Sequence, residues 1–276
     1  MKRAKFQLSI EELAYAMGLL GEPGVARGFM ITMLGEQDAR EMEGHLFAAT
    51  HSLMARGYLE LDFKAGAQHL DKTLAEVVKV LMQHEFSLRC SRMVGEDEYL
   101  VNYFFRGEDI VEHTLLHGVV SCLETIRDVQ GVVDRCNSFF APPAATTATT
   151  AAEVLGTIPV SVIDQASEAI RQSPKEYIVP WFVEAGMADA VASDLIDDLH
   201  GREYRGSILK IVKKDNEMSA SDGYLLLKGP SRFWIMEIIP QEPPLVKVSQ
   251  GARSQLEALL RRLVGQGQKA TVSDQH

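Results

Sequence analysis

Histidines, cysteines, carboxylates and glycines at chemically useful spacings are few in this chain, and each set can be weighed against what its chemistry requires. His113 and His117 are four apart, the spacing that puts two imidazoles on one helix face for zinc, and Glu112 precedes them. In the metalloprotease arrangement the glutamate follows the first histidine, which this order does not do. The residues around His113 also have strand character ending near Leu115, which separates the pair onto different elements. His45 and His51 are six apart and would share a helix face badly. Asp194, Asp197 and Asp198 fall at i, i+3 and i+4, opposite a stripe of Val191, Leu195 and Leu199. Such a carboxylate row holds Mg²⁺ when a second row faces it. No second acidic helix is present, so the row reads as a solvated helix face. Gly18, Gly21 and Gly24 imitate a phosphate-cradling loop, but they follow a helix and no Lys-Ser/Thr pair comes after them. A helix end with a turn accounts for them. Gly-x-Ser-x-Gly is absent, and Cys90 and Cys122 lie in apolar stretches that suit core packing. The residues therefore point to no catalytic set, no metal site and no cofactor, and favour a binding protein over an enzyme.

The elements that would carry these residues follow from capping and periodicity. Ser9 with Glu12 is a capping box opening a helix to about Leu20, which Gly18, Gly21, Pro23 and Gly24 then break. A second helix is expected from Asp38 to Arg56, ended by Gly57. Thr73 with Glu76 opens a third, whose Leu74, Val77, Val78, Leu81 and Met82 form one apolar face. Strands are expected at Phe86–Met93, Glu98–Phe105 and Asp109–Leu115, turning at Gly95 and Gly107, before a closing helix from Gly118 to Val129. Ala141–Ala152, of Ala, Pro and Thr alone, reads as a flexible linker. Beyond it a helix is expected from Pro159 to Gln172, and Ser173, Pro174 and Glu176 signal another start. Pro180 should kink or split that helix, and Gly186 should end it. Strand-like stretches at Tyr204–Lys213, Gly223–Lys228, Phe233–Ile239 and Leu245–Ser249 lead to a final helix over Gln250–Val264.

Helices, then a strand meander, then a helix: this order occurs twice. The expectation is an α+β protein of two similar halves, residues 1–140 and 153–265, joined by the 141–152 linker and followed by a disordered tail over 266–276. With 46% hydrophobic residues in 276, the chain has material for a substantial core. Its 28 basic against 38 acidic residues give a net charge of −10, which repels polyphosphate and anionic lipid. The nearest basic cluster is Arg202, Arg205, Lys210, Lys213 and Lys214, and a strand would divide it between two faces. No apolar run reaches the length of a membrane-spanning helix, and three widely spaced cysteines suit a reducing compartment, so a cytoplasmic location without membrane insertion is expected.

One reading with mechanical content is a winged-helix regulator or interaction scaffold, since three helices followed by a β-hairpin is that module's order and Leu53–Leu59 has its flavour. Leu74–Met82 offers only Lys79, with Lys72 just outside, as equipment for a major groove. A second family is suggested by Phe6–Leu13, Leu19-Leu20-Gly21, the Leu-Met-Ala-Arg-Gly-Tyr-Leu element at 53–59 and the strand-rich stretch 86–116. Phe182–Ala190, Tyr204–Ile208, Phe233–Ile235, Val246–Val248 and Leu256–Leu263 continue it through the second half. In these the chain resembles the EspG-type secretion-associated proteins of type VII (ESX) systems over residues 6–265. The aspartate that often opens the family's late strand motif is missing near Ser231-Arg232-Phe233. The resemblance implies a pseudo-two-fold fold with a central antiparallel sheet flanked by helices. It also implies a non-enzymatic cytosolic chaperone that holds the apolar tip of a helical PE/PPE-like or WXG-like substrate, with no nucleic acid bound and homo-oligomerisation left open. The residues themselves offer a contact surface at Lys213–Asp222, longer than a tight hairpin loop needs and carrying Met218, with the neighbouring aromatics Tyr224, Phe233 and Trp234.

Overall fold

A computed structural model of the chain describes residues 3–144, 153–170, 172–214 and 217–273. The chain divides into two compact units, Met1–Ser87 with Val101–Asp128, and Leu88–Leu100 with Val129–His276.

In the first unit β1 (Lys5–Ser9) runs directly into α1 (Ile10–Leu19). Ser9 and Glu12 form the expected capping box: each side chain accepts from the other's backbone N–H, at 3.1 and 2.8 Å. Next come α2 (Pro23–Leu34), α3 (Ala39–Ala55), the small antiparallel pair β2 (Leu59–Asp62) and β3 (Ala67–Leu70), and α4 (Lys72–Met82). The meander is β4 (Phe86–Val94), β5 (Asp97–Arg106), β6 (Asp109–Leu116) and β7 (Val120–Ile126). Residues 88–100, the outer part of the β4–β5 hairpin, belong to the second unit. The α4 stripe of Leu74, Val77, Val78 and Leu81 is buried and shares a core with Phe6, Leu8, Leu13, Val111 and Leu123.

Several boundaries differ from the sequence expectation, each for a local reason. Pro23 and Gly24 open α2 instead of ending structure, because a proline in the first turn sacrifices no helical hydrogen bond, and Ala26 and Met30 bury one face. The cap of α4 is Asp71, whose side chain accepts from the Leu74 N–H at 2.9 Å, so Thr73 lies inside the helix. The helix expected over Gly118–Val129 is instead β7, which pairs with β6 on one side and β1 on the other. The helix itself is α5 (Val129–Phe140).

The second unit continues with β8 (Val154–Pro159), α6 (Val160–Ala169), α7 (Lys175–Glu184), α8 (Asp189–His200), β9 (Tyr204–Lys214), β10 (Glu217–Lys228), β11 (Phe233–Ile239), β12 (Leu245–Gly251) and α9 (Arg253–Ser273). Pro180 lies inside α7, which remains one element with Ile178 and Phe182 buried on either side of the proline. α9 extends past Val264, where the sequence reading ended it. The expected linker falls outside the described residues from Ala145 to Ala152, as do the last three residues of the expected tail. A core of Ile158, Ile178, Phe182, Leu195, Trp234 and Val248 fills this unit.

Among the described residues ten strands hydrogen-bond in the order β1-β7-β6-β5-β4-β9-β10-β11-β12-β8. The fold is therefore α+β, a large antiparallel sheet flanked by helices. Both sequence halves list a strand, three helices, a four-strand meander and a helix, and the first carries β2, β3 and α4 in addition.

Candidate functional site

The stretch Lys213–Asp222, expected as a loop, is strand as far as Lys214 and again from Glu217. β9 and β10 pair from Tyr204↔Lys228 out to Lys214↔Glu217, with a bulge between Ala220 and Asp222. Backbone hydrogen bonds carry a ladder through polar residues that have no core to face, which is why composition alone suggested a loop. Near its base the hairpin is core: Tyr204, Ile208, Lys210, Tyr224, Leu226 and Leu227 are buried. Outward, Lys213, Met218, Ser219, Ala220 and Ser221 are all exposed. Lys210 is the polar member of the base, and its ammonium donates to the Leu263 carbonyl of α9 at 2.8 Å. Desolvation lowers its pKa.

Of the four side chains singled out in sequence, Met218 alone is open to a partner, at 48% exposure. Phe233 and Trp234 are core residues of β11, and Tyr224 is buried on β10. The Tyr224 hydroxyl donates to Glu237 at 3.1 Å and accepts from Arg262, while burial pushes its pKa up to about 12. Trp234 lies opposite Leu227, nine residues along β10 from Met218, which at strand rise is ~30 Å. The structure thus separates Met218 from the aromatics.

Trp234 has an internal partner. Its Nε1–H donates to Asp198 at 2.9 Å, and the Ser231 N–H donates to the same carboxylate at 3.2 Å. Asp198 is 1% exposed, so the aspartate row is a solvated face only at Asp194 and Asp197, which pair with Arg232 and Lys175. Gly229 closes over this carboxylate; a Cβ there would lie 2.2 Å from that of Asp198.

Two further features of the second unit had no clear sequence signal. A cavity of about 310 Å³ lies between Tyr224, Glu237 and Lys247 on the sheet and Ala258, Leu259 and Arg262 on α9. It exists only because the register sets Tyr224 against Glu237 and Arg262 reaches both. At the outer end of the β4–β5 hairpin, Met93, Val94 and Tyr99 are 38–45% exposed. Met93 and Val94 just before Gly95 were the available sign of that end. Arg92 lies over the rings of Tyr99 and Phe139, 5.3 and 5.1 Å from their centroids, and braces the hairpin.

His113 is buried on β6 with its Nε2 3.2 Å from the Ser121 hydroxyl, and burial alone lowers its pKa to about 4. His117 stands in the following turn at φ 52°, on a different element. No group of three His, Cys, Asp or Glu residues able to hold a metal ion occurs among the described residues. No helix among them is long and apolar enough to cross a membrane.

This architecture is similar to that of the Mycobacterium tuberculosis type VII secretion system chaperone EspG5, solved in complex with the PE25–PPE41 dimer. The likeness has a TM-score of 0.62 and covers 95% of this chain and 96% of that one, at 12% identity. It shows an EspG-like fold. A search of curated proteins finds no match. The family model described as uncharacterised protein YfjC matches residues 5–260, and the chain belongs to that family.

Proposed function

We propose that the protein is a non-enzymatic chaperone or adaptor of the type VII secretion kind, holding the apolar tip of a helical client in the cytoplasm. The observation that carries this is the fold shared with EspG5 along nearly the whole of both chains, since EspG5 was solved with the PE25–PPE41 dimer bound. The outer β9–β10 hairpin supports it physically: a solvated ladder carrying an exposed, adaptable thioether suits the end of an apolar helix. In this reading Met218 touches the client, and Tyr224, Phe233 and Trp234 hold the strands that present it. The client is a protein, with neither nucleic acid nor membrane insertion involved. Internal duplication is part of the proposal, supported by the element order common to the two halves.

Affinity purification from the native host tests it. A helical protein recovered at stoichiometric level, and lost at least about tenfold from Met218→Asp protein of unchanged melting temperature, is the expected result. Recovery of nucleic acid only, or of no stoichiometric protein, refutes it. A winged-helix regulator is the second reading, favoured by the order α1, α2, α3, β2, β3 in the first unit. Tight, sequence-specific retardation of duplex DNA at physiological salt would put it first.

A further inference from the structure

Two rows of side chains cross the sheet of the second unit on the face turned away from Trp234, Met236, Val246 and Val248, which fill its core. One row is Tyr224, Glu237 and Lys247, each opposite the next in register. In the other, Ile235 stands opposite Ser249. Leu259 and Arg262 of α9 close the cavity of about 310 Å³ between these rows and the helix.

The charges in this wall do not balance. Glu237, Lys247 and Arg262 are the charged residues that line the cavity. Glu237 accepts from the Tyr224 hydroxyl at 3.1 Å and pairs with Arg262 at 3.3 Å. Lys247 lies directly opposite Glu237, yet its ammonium makes no ion pair or hydrogen bond among the described residues. Arg262 reaches Tyr224 and Glu237 through Nη2 alone, which leaves the donors on Nε and Nη1 uncommitted. Ser249 is buried, and its hydroxyl has no partner among the described residues either. Beside these donors the wall is apolar, with Ile235 and Leu259 both buried.

We propose that this cavity binds a small monocarboxylate with an apolar tail, the carboxylate held by Lys247, Arg262 and the Ser249 hydroxyl and the tail set against Ile235 and Leu259. Two cations against one acid leave a single positive charge for the ligand to neutralise. Glu237 in the same wall repels a second negative charge, so a carboxylate suits the site better than a phosphate dianion. Apolar walls with a few convergent polar groups, at this volume, make a small-molecule site. This inference is independent of the proposed helical client.

Isothermal titration calorimetry of the full chain with straight-chain carboxylates tests it. Saturable binding of hexanoate is expected, with affinity rising about three- to fourfold for each methylene added from acetate onward. Hexanol, which lacks the charge, should bind far more weakly. Lys247→Met keeps the aliphatic stem and removes the charge, and should weaken hexanoate at least about tenfold at unchanged melting temperature. Backbone amide shifts in the hexanoate complex should centre on Ile235, Lys247 and Leu259. The carboxylate series and the shifts are read on the unaltered chain, so they decide even where the variant fails to fold. Absence of saturable binding, hexanol bound as tightly as hexanoate, or binding indifferent to Lys247→Met overturns the proposal. So do shifts centred elsewhere, or inorganic phosphate bound more tightly than hexanoate.

Discussion

Asp194, Asp197 and Asp198 share a helix and differ completely in setting. The first two make exposed pairs with Arg232 and Lys175, each at 2.7 Å, of the kind worth at most ~1 kcal/mol. Asp198 is buried beneath Gly229, accepts from Trp234 and the Ser231 N–H and lies 3.5 Å from Arg232, so its loss leaves the buried Trp234 donor without a partner. Asp198→Ala should cost about 2–4 kcal/mol in urea unfolding followed by tryptophan fluorescence, and Asp198→Asn distinctly less because an acceptor oxygen remains. His113 makes a pH prediction. Burial lowers its folded pKa from 6.5 to about 4, so its neutral form is favoured in the native state. Its contribution is therefore complete above pH ~6.5 and declines at about 1.4 kcal/mol per unit as pH falls towards ~4, because only the unfolded chain takes up the proton there. His113→Gln should flatten the stability profile across that window.

At the scale of elements, Glu12 joins three of them. Besides capping α1 it accepts from the Ser52 hydroxyl at 2.6 Å and from Arg56 at 2.8 Å, and Arg56 donates onward to the Gln7 carbonyl of β1 at 2.6 Å. Glu12 is itself 3% exposed, so removing it empties a buried site and breaks the ion pair and the cap together. Ser9→Ala should cost about 1 kcal/mol and Glu12→Ala about 3, a difference thermal denaturation will resolve. The capping box was legible because its signal is local, and so was the α4 stripe, whose buried side chains declared their spacing. β7 was not legible. Its Cys122-Leu123-Glu124 suits helix or strand, and the pairing with β1 and β6 decides it.

For the whole molecule, net charge −10 opposes any close approach to a polyphosphate. A gel-shift assay with duplex DNA at physiological salt should show no retardation, even with the hairpin bases Lys213 and Lys214 present. Composition, caps and periodicity determined the α+β class, most helices and the meander strands other than β7, because each depends on residues within one or two turns of one another. The absence of a recognisable catalytic motif was likewise visible in the chain. Which apolar residues would be covered was decided only by tertiary structure. Phe233, Trp234 and Met218 are comparable as letters, but strand register buries both aromatics, Trp234 with its Nε1–H on Asp198 of α8, while β10 carries Met218 into solvent. The cavity between the sheet and α9 escaped sequence reading for the same reason. Exposure is a property of what packs against a residue, and that neighbour is set by contacts distant in the chain.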